Sequence, residues 1–335
     1  MDTRAAYHQA LLDEIHSHAW AWTPETLYFG GGTPSLMPLA LLEQVIGAIP
    51  SEKLAETTLE CAPGTVTQET AEGWRHCGIN RVSLGVQSFN SAELRQTGRR
   101  HDAAIVDRDM RTLRAAGITN INIDLIAGLP EQTARSWQES LDWIEHLNPP
   151  HVSVYIFEID EDSRLGKELI QGGIRYGAGH VPREDLVGDL YENAVERLAA
   201  LGIHRYEISN FAKAGSESRH NLKYWLREPY IGFGLDAHSF DGHHRWNNPD
   251  TLSAYLTEAG PLGDLTETDP SEEHFFVGLR LSEGIEPTDH EWSRFARPIA
   301  RWLESGLLER SGARLRLTPQ GVLLSNEVLQ EFVNA

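Results

Sequence analysis

Short runs of apolar and β-branched residues alternate with amphipathic helical stretches through the first half of the chain, and this alternation constrains the fold more than any single motif. The runs are Thr26-Leu-Tyr-Phe29, Thr57-Thr-Leu-Glu60, Arg81-Val-Ser-Leu-Gly-Val86, Asn120-Ile-Asn-Ile-Asp124 and His151-Val-Ser-Val-Tyr155. Helical patterns fall between them near 37–48, 67–77, 102–116 and 133–147, each long enough to cross back over a sheet. Such an order implies parallel strands joined by right-handed crossovers, in either an α/β barrel or an open doubly wound sheet. In both architectures ligands gather at the carboxyl ends of the strands. The runs end at Glu60, at Gln87, at Asp124 and near Glu158, so Glu60, Gln87 and Asp124 are expected to converge on one mouth.

The first run leads directly into Gly30-Gly31-Gly32-Thr33-Pro34. Glycines bring backbone amides close to a ligand without a side chain in the way, so Gly30, Gly31 and Gly32 form a candidate loop for a carboxylate, amino group or phosphate. Pro34 restricts Thr33 and suits the first turn of a helix. The loop matches neither the phosphate loop nor the dinucleotide fingerprint, and a plain strand-to-helix turn is the competing reading.

Composition narrows the function classes. The chain has 335 residues, 40% hydrophobic and 23% charged, enough for one large domain with a smaller one appended. A formal charge of −20 disfavours nucleic acid, whose phosphates call for a basic surface. With no membrane-length apolar run and no secretory pattern at the amino terminus, a cytoplasmic location is expected. The two cysteines, Cys61 and Cys77, have no zinc or cluster spacing and read as buried thiols.

Several segments together carry a family resemblance. Leu27-Tyr-Phe-Gly-Gly-Gly-Thr-Pro-Ser-Leu36, Leu59-Glu-Cys-Ala-Pro-Gly-Thr65, Asn80-Arg-Val-Ser-Leu-Gly-Val-Gln-Ser-Phe89, Asn120-Ile-Asn-Ile-Asp-Leu-Ile-Ala-Gly-Leu-Pro130 and Arg219-His-Asn-Leu-Lys-Tyr-Trp225 recur in order. So assembled, the chain resembles the radical S-adenosylmethionine (SAM) proteins related to oxygen-independent coproporphyrinogen III oxidase, and most of all the heme chaperones among them. The resemblance implies a partial (β/α) TIM-like barrel whose strand ends bind SAM beside a four-iron, four-sulfur (4Fe-4S) cluster. It implies that Gly31, Gly32 and Thr33 receive the amino acid end of SAM and that Glu60 accepts its amine. Gln87 and Asp124 would lie around the ribose and methionine portions, and Arg99 would offer a fork to a carboxylate. The competing readings are a helix cap for Asp124 and a surface salt bridge for Arg99.

The chain departs from the family pattern in one large respect. Family members carry Cys-x-x-x-Cys-x-x-Cys after the first barrel strand, and its thiolates hold the cluster. Here Tyr7-His-Gln-Ala-Leu-Leu-Asp-Glu14 resembles the helix that follows that loop, so the resemblance leads one to expect that the first strand and the cluster ligands are not part of the given sequence. Cys61 and Cys77 do not replace them, and the chain as written is not expected to assemble the cluster or cleave SAM reductively. Truncation at the amino terminus is favoured over loss of the chemistry, because every residue expected to hold SAM is retained. Smaller departures are Ala62, where the family usually has asparagine, and Glu131, where it usually has glycine.

The resemblance divides the chain into a barrel over 1–215, a connecting region over 216–269 that carries His-Asn-x-x-Tyr-Trp, and a helical winged-helix-like domain over 270–335. In the connecting region His220, Tyr224, Trp225 and His238 could contact heme, since imidazole ligates iron and flat rings stack on porphyrin; a packing layer that closes the barrel is the competing reading. The last domain is expected to hold helices at 271–283 and 298–306, a hairpin over 307–319 with Ser311-Gly312 at its tip and a terminal helix, and to serve as a lid or docking module. The function implied is delivery of heme to acceptor proteins. The alternative is oxidative decarboxylation of coproporphyrinogen III; a third possibility is a non-catalytic interaction protein.

Overall fold

The computed structural model describes residues 3–51, 53–157, 180–257 and 265–333, so Glu158 lies outside the described residues. The chain divides into two compact units, one made of Tyr28–Leu39 and Glu56–Glu217, the other of Met1–Leu27, Ala40–Ala55 and Ser218–Ala335.

The first unit is built on a sheet. Its strands are β1 (Thr26–Phe29, of which Tyr28 and Phe29 belong to this unit), β2 (Glu56–Cys61), β3 (Arg81–Gln87), β4 (Asn120–Ala127), β5 (His151–Ile156), β6 (His204–Arg205) and β7 (Asn210–Ala212), in the order β1-β2-β3-β4-β5-β7-β6. Strands β2 to β5 pair in parallel, whereas β7 runs antiparallel to β5. The helices that follow the strands are Gln68–His76, Ala103–Ala115 and Ala134–Leu147, within a residue or so of the patterns expected from the sequence. Each has a side-chain cap at its start: Thr67, Asp102 and Thr133 accept from backbone amides of the first turn, which satisfies donors the helix itself cannot.

Strand order decides between the two architectures left open by the sequence. From β1 to β5 the order never reverses, so right-handed crossovers place the helices connecting these strands on one face of the sheet, as in a barrel rather than a doubly wound sheet. Side chains alternate accordingly. Leu59, Val82, Leu84, Ile121, Ile123, Leu125, Val152 and Val154 are all buried on the helix-covered face, together with Trp74, Met110, Leu113, Trp137 and Ile144 from the helices. The other face carries Thr58, Glu60, Arg81, Ser83, Asn120, Asn122, Asp124, His151 and Ser153, a polar set fixed by the period of two.

The second unit begins with α1 (Thr3–Ser17). Glu14 on α1 accepts hydrogen bonds from Gly234 N (2.9 Å), Asn248 Nδ2 (2.7 Å) and Tyr255 Oη (2.7 Å), which ties the amino-terminal helix to segments more than two hundred residues later. Toward the carboxyl end Phe275, Phe295 and Phe332 form an aromatic core with ring centroids 4.6–5.6 Å apart. The helix expected over 271–283 ends at Gly278, because the chain must turn at Gly284 for Ile285 to pair with Leu315. Gly284 has φ +70°, and a Cβ there would meet the Leu315 carbonyl. The hairpin forms from Leu308–Ser311 and Arg314–Leu317, with its tip at Gly312 and Ala313, one residue later than expected. Two short helices, Pro319–Leu323 and Ser325–Gln330, stand in place of one terminal helix.

Glu131 has φ 68°, in the left-handed region that glycine occupies without strain. Its ion pair with His180 is exposed on both sides and adds little. Glu131→Gly is therefore expected to stabilise the protein by about 0.5–1 kcal/mol, read as a higher urea midpoint; an unchanged or lower midpoint contradicts this reading.

Candidate functional site

The glycine loop and β2 are joined through Glu60. Its Oε1 accepts from Tyr28 Oη at 2.9 Å and its Oε2 from the amide of Gly31 at 3.1 Å. The Gly31 amide is thus already engaged and not open to a ligand as the sequence suggested. A Cβ on Gly30 would lie 3.0 Å from the Tyr28 ring and 3.3 Å from Glu60 Oε1, so this pair requires glycine there. Gly31 has φ +104°, and neither it nor Gly32 has any atom within 4 Å of where a Cβ would be, which leaves an open cradle. Thr33 precedes the 3-10 turn Pro34–Leu36, and its hydroxyl makes no cap.

Further along the mouth, β3 breaks register with β4 between Leu84 and Gln87. Such bulges re-aim side chains and cluster beside active sites. Gln87 takes φ 68°, and its buried Oε1 has no partner among the described residues. Its Nε2 and the Arg99 guanidinium both close on the bare Cα of Gly85, and Arg99 Nη1 donates to the Gly85 carbonyl at 3.0 Å. Burial lowers the Arg99 pKa, opposed by the charge of Asp124. The surface salt bridge considered for Arg99 is not what holds it.

Asp124 is not the end of its strand, since β4 runs on to Ala127; nor does it cap a helix. It sits within the inner face, where it accepts from Ser83 Oγ (3.1 Å) and Asn122 Nδ2 (2.7 Å). Asn122 is the hub of this layer. Its Nδ2 also reaches Ser83 Oγ (2.7 Å) and Ser153 Oγ (3.0 Å), and its Oδ1 lies 2.6 Å from His151 Nδ1. His151 Nε2 continues to Tyr206 Oη at 2.9 Å, and Ser153 Oγ donates to Asn210 Oδ1 at 2.7 Å. Burial raises the Asp124 carboxyl above its ordinary range, against the hydrogen bonds of Ser153, Asn122 and Ser83 and the charge of Arg81. Burial likewise raises Glu60, against the Tyr28 bond, with the charge of Asp124 adding to the rise.

The structure therefore brings Gly31, Glu60, Gln87, Arg99 and Asp124 to one polar face with Gly32 and Thr33 at its rim. It offers two carboxylates, a guanidinium, an amide and open backbone, the set that a zwitterion carrying a diol would take up. Tyr28, Ser83, Asn122, His151 and Ser153 were not singled out from sequence. Their signal was the alternation itself, as in Asn120-Ile-Asn-Ile-Asp124 and His151-Val-Ser-Val-Tyr155.

His220 belongs to the second unit, on the helix Arg219–Trp225. Its Nδ1 lies 2.9 Å from Thr26 Oγ1 and its Nε2 2.9 Å from Tyr224 Oη. Tyr224 meets Tyr230 edge to face, with centroids 4.6 Å apart, and burial pushes its hydroxyl up to about 12. Beside them opens a cavity of about 280 Å³ lined by Trp20, Trp22, Ile49, Tyr224, Tyr230 and Phe233, with Lys223 between Glu25 (3.0 Å) and Glu228 (2.5 Å) at its edge. His238 is exposed.

The radical SAM superfamily profile matches residues 4–144, and that of the HemN C-terminal domain matches residues 265–324. The heme chaperone HemW of Bacillus subtilis (strain 168) is 33% identical over 92% of this chain and 85% of its own length. That of Escherichia coli (strain K12) is 34% identical over 98% and 89%. The chain belongs to the HemW family of radical SAM proteins. A mitochondrial relative from Bos taurus, radical S-adenosyl methionine domain-containing protein 1, is 30% identical over 90% of this chain and 70% of its own. The structure of coproporphyrinogen III oxidase (HemN) from Escherichia coli, a radical SAM enzyme, superposes with a TM-score of 0.85 at 22% identity over 99% of this chain and 84% of that one, which establishes the partial-barrel fold.

Membership in the HemW family implies SAM and a 4Fe-4S cluster as the family cofactors. The open glycines, the unpartnered Gln87 Oε1 and the paired carboxylates fit SAM. The two cysteines do not fit a cluster. Cys61 is buried beside Thr65 with its thiol pushed up to about 11, and Cys77 packs against the Leu39 carbonyl.

His151 supplies a pH test of the inner face. Burial holds its pKa well below 6.5, so the folded protein keeps it neutral where the unfolded chain takes up a proton. Its contribution is complete above about pH 6.5 and is lost by about 1.4 kcal/mol per pH unit as pH falls toward the folded pKa. Unfolding free energies from pH 7 to 5 are expected to fall more steeply for the wild type than for His151→Gln; parallel slopes contradict a neutral buried imidazole.

Proposed function

We propose that this protein binds SAM on the polar mouth of the sheet and carries heme against the His220 wall, passing it to acceptor proteins in the cytoplasm. The observation that carries the reading is the 32–35% identity to heme chaperones named HemW from five bacteria, over nearly the whole chain. The likeness to the oxidase, at 22% identity, speaks for fold alone, so decarboxylation of coproporphyrinogen is not favoured.

SAM, when bound, supplies a sulfonium between an amino acid and a nucleoside. Glu60 would take the ammonium, whose charge compensates the carboxylate that burial disfavours. Arg99 would face the carboxylate as a charge-assisted fork, and Asp124 would accept the ribose hydroxyls. Gln87 Oε1 would find there the donor it lacks.

For heme, the Nδ1–H tautomer of His220 satisfies both neighbours, donating to Thr26 and accepting at Nε2 from Tyr224. Thr26 thereby orients the ring, as second partners orient metal-binding imidazoles. Iron would take Nε2 once the Tyr224 hydroxyl leaves it, an exchange that costs about 1 kcal/mol for the hydrogen bond given up. A ligand that a neighbouring hydroxyl can reclaim suits a carrier that must release its cargo. The carboxyl-terminal module over 270–335 serves in this reading as a lid or docking surface for the acceptor. The arginines of its hairpin, Arg310, Arg314 and Arg316, are few against the acidic background, which in this reading disfavours nucleic acid as a partner.

Titration of the purified protein with hemin is expected to give a Soret shift that His220→Ala weakens by about tenfold or more, the scale of one lost coordinate bond partner. Absence of a shift in the wild type, or a shift unchanged in His220→Ala, removes His220 as a ligand. Calorimetric titration with SAM is expected to show binding that Glu60→Gln reduces by about tenfold, since a charge-assisted bond is worth roughly 1.5–3 kcal/mol; equal affinities contradict the assignment.

A further inference from the structure

Beneath the row formed by Glu60, Ser83 and Asn122 lies a second row on the same face of the sheet. Thr58 pairs with Arg81 and Arg81 with Asn120, so the three side chains stand side by side on neighbouring strands. Arg81 is 1% exposed and Thr58 wholly buried. Each of the three has a buried polar atom without a hydrogen-bond partner among the described residues: Thr58 Oγ1, Arg81 Nε and Asn120 Oδ1. An arginine so placed is unusual, because a buried guanidinium is normally neutralised by a carboxylate in contact. None of the ion pairs among the described residues takes Arg81. Its charge is left to act over a distance, through an interior that screens it poorly.

The groups that feel this charge lie on the same face. Asp124 is drawn toward its ionised form by it, Tyr28 is eased, and His151 is held further from protonation. Asp124 is also faced by Glu60 from β2, Tyr28 from β1, Tyr155 from β5 and Arg99 from the segment after β3. Of these only Arg99 is cationic, and in the SAM reading it is committed to the ligand's carboxylate. A carboxylate can accept both hydroxyls of a ribose, whereas its protonated form must give up part of that capacity.

We infer that Arg81 is a positioning residue that acts from two rows below Asp124, its unpaired guanidinium favouring a carboxylate there and so the readiness of the mouth for a diol-bearing cofactor. Nothing in the arrangement places Arg81 in contact with the ligand. The inference rests on the SAM reading for its consequence, but not for its electrostatic core.

Two measurements separate those parts. In the protein without ligand, isotope-edited infrared titration of carboxyl-labelled aspartate, with the Asp124 signal assigned by its loss in Asp124→Asn, reports the carboxyl directly. Arg81→Met and Arg81→Gln are expected to move its titration upward by about one pH unit or more, whereas Arg81→Lys keeps the charge and is expected to stay within about half a unit. Arg81→Gln is included because its amide can use the unpartnered atoms of Thr58 and Asn120 and so preserve folding. Neutral variants that titrate like the wild type, or a lysine variant that shifts as far as they do, overturn the inference. In the second measurement SAM affinity is followed from pH 6 to 9. The neutral variants are expected to bind about tenfold more weakly at pH 7 and to recover as pH rises, the affinity following Asp124. A loss that is uniform with pH marks a merely structural role and overturns it. A wild type that binds no SAM removes the cofactor reading, and the infrared titration still decides whether Arg81 governs Asp124.

Discussion

A parallel sheet wound in one direction has a helix-covered face and an inner face, and in this protein the inner face is polar. Every group buried there needs a partner, because an unsatisfied donor or acceptor costs about 1–3 kcal/mol. Asn122 meets most of that demand: its amide joins Ser83, Asp124, Ser153 and His151 across three strands. The layer fixes the register and direction of the side chains above it, so the mouth inherits its geometry from a hydrogen-bonded floor rather than from the loops.

That floor explains why the two carboxylates of the mouth differ. Glu60 is supported by one hydroxyl and one loop amide, and it links β2 to the glycine turn. Asp124 is held by the strand layer itself and by the distant charge of Arg81. A group held by a loop can adjust as a ligand arrives, while one held by the sheet cannot. In the proposed SAM reading, the site would combine an adaptable contact for the amino acid end with a fixed one for the nucleoside.

Much of this was legible in the sequence. Strand and helix positions followed from periodicity, and Gly31, Glu60, Gln87, Arg99 and Asp124 were legible as site candidates. Three features were not. The engagement of the Gly31 amide depends on Tyr28 placing Glu60 beneath the loop, a contact between residues 29 positions apart. The extension of β4 past Asp124 follows from pairing with β5 as far as Ile156, which no local pattern encodes. The orphaned Arg81 looked like the ordinary start of a strand, and only the register of three strands shows that it is buried without a neutralising contact. Residue 131 is the converse case: the departure from glycine was visible in the sequence, and its cost appears in the backbone as a positive φ.

The account stands or falls on where the cofactor lies, and a crystal structure of the protein with SAM tests it most directly. The account predicts the amino group at Glu60, the methionine carboxylate facing Arg99 and the ribose hydroxyls on Asp124, with the Asn122 layer unchanged beneath them. SAM bound away from this face, or bound here with Asp124 turned aside from the ribose, would contradict it.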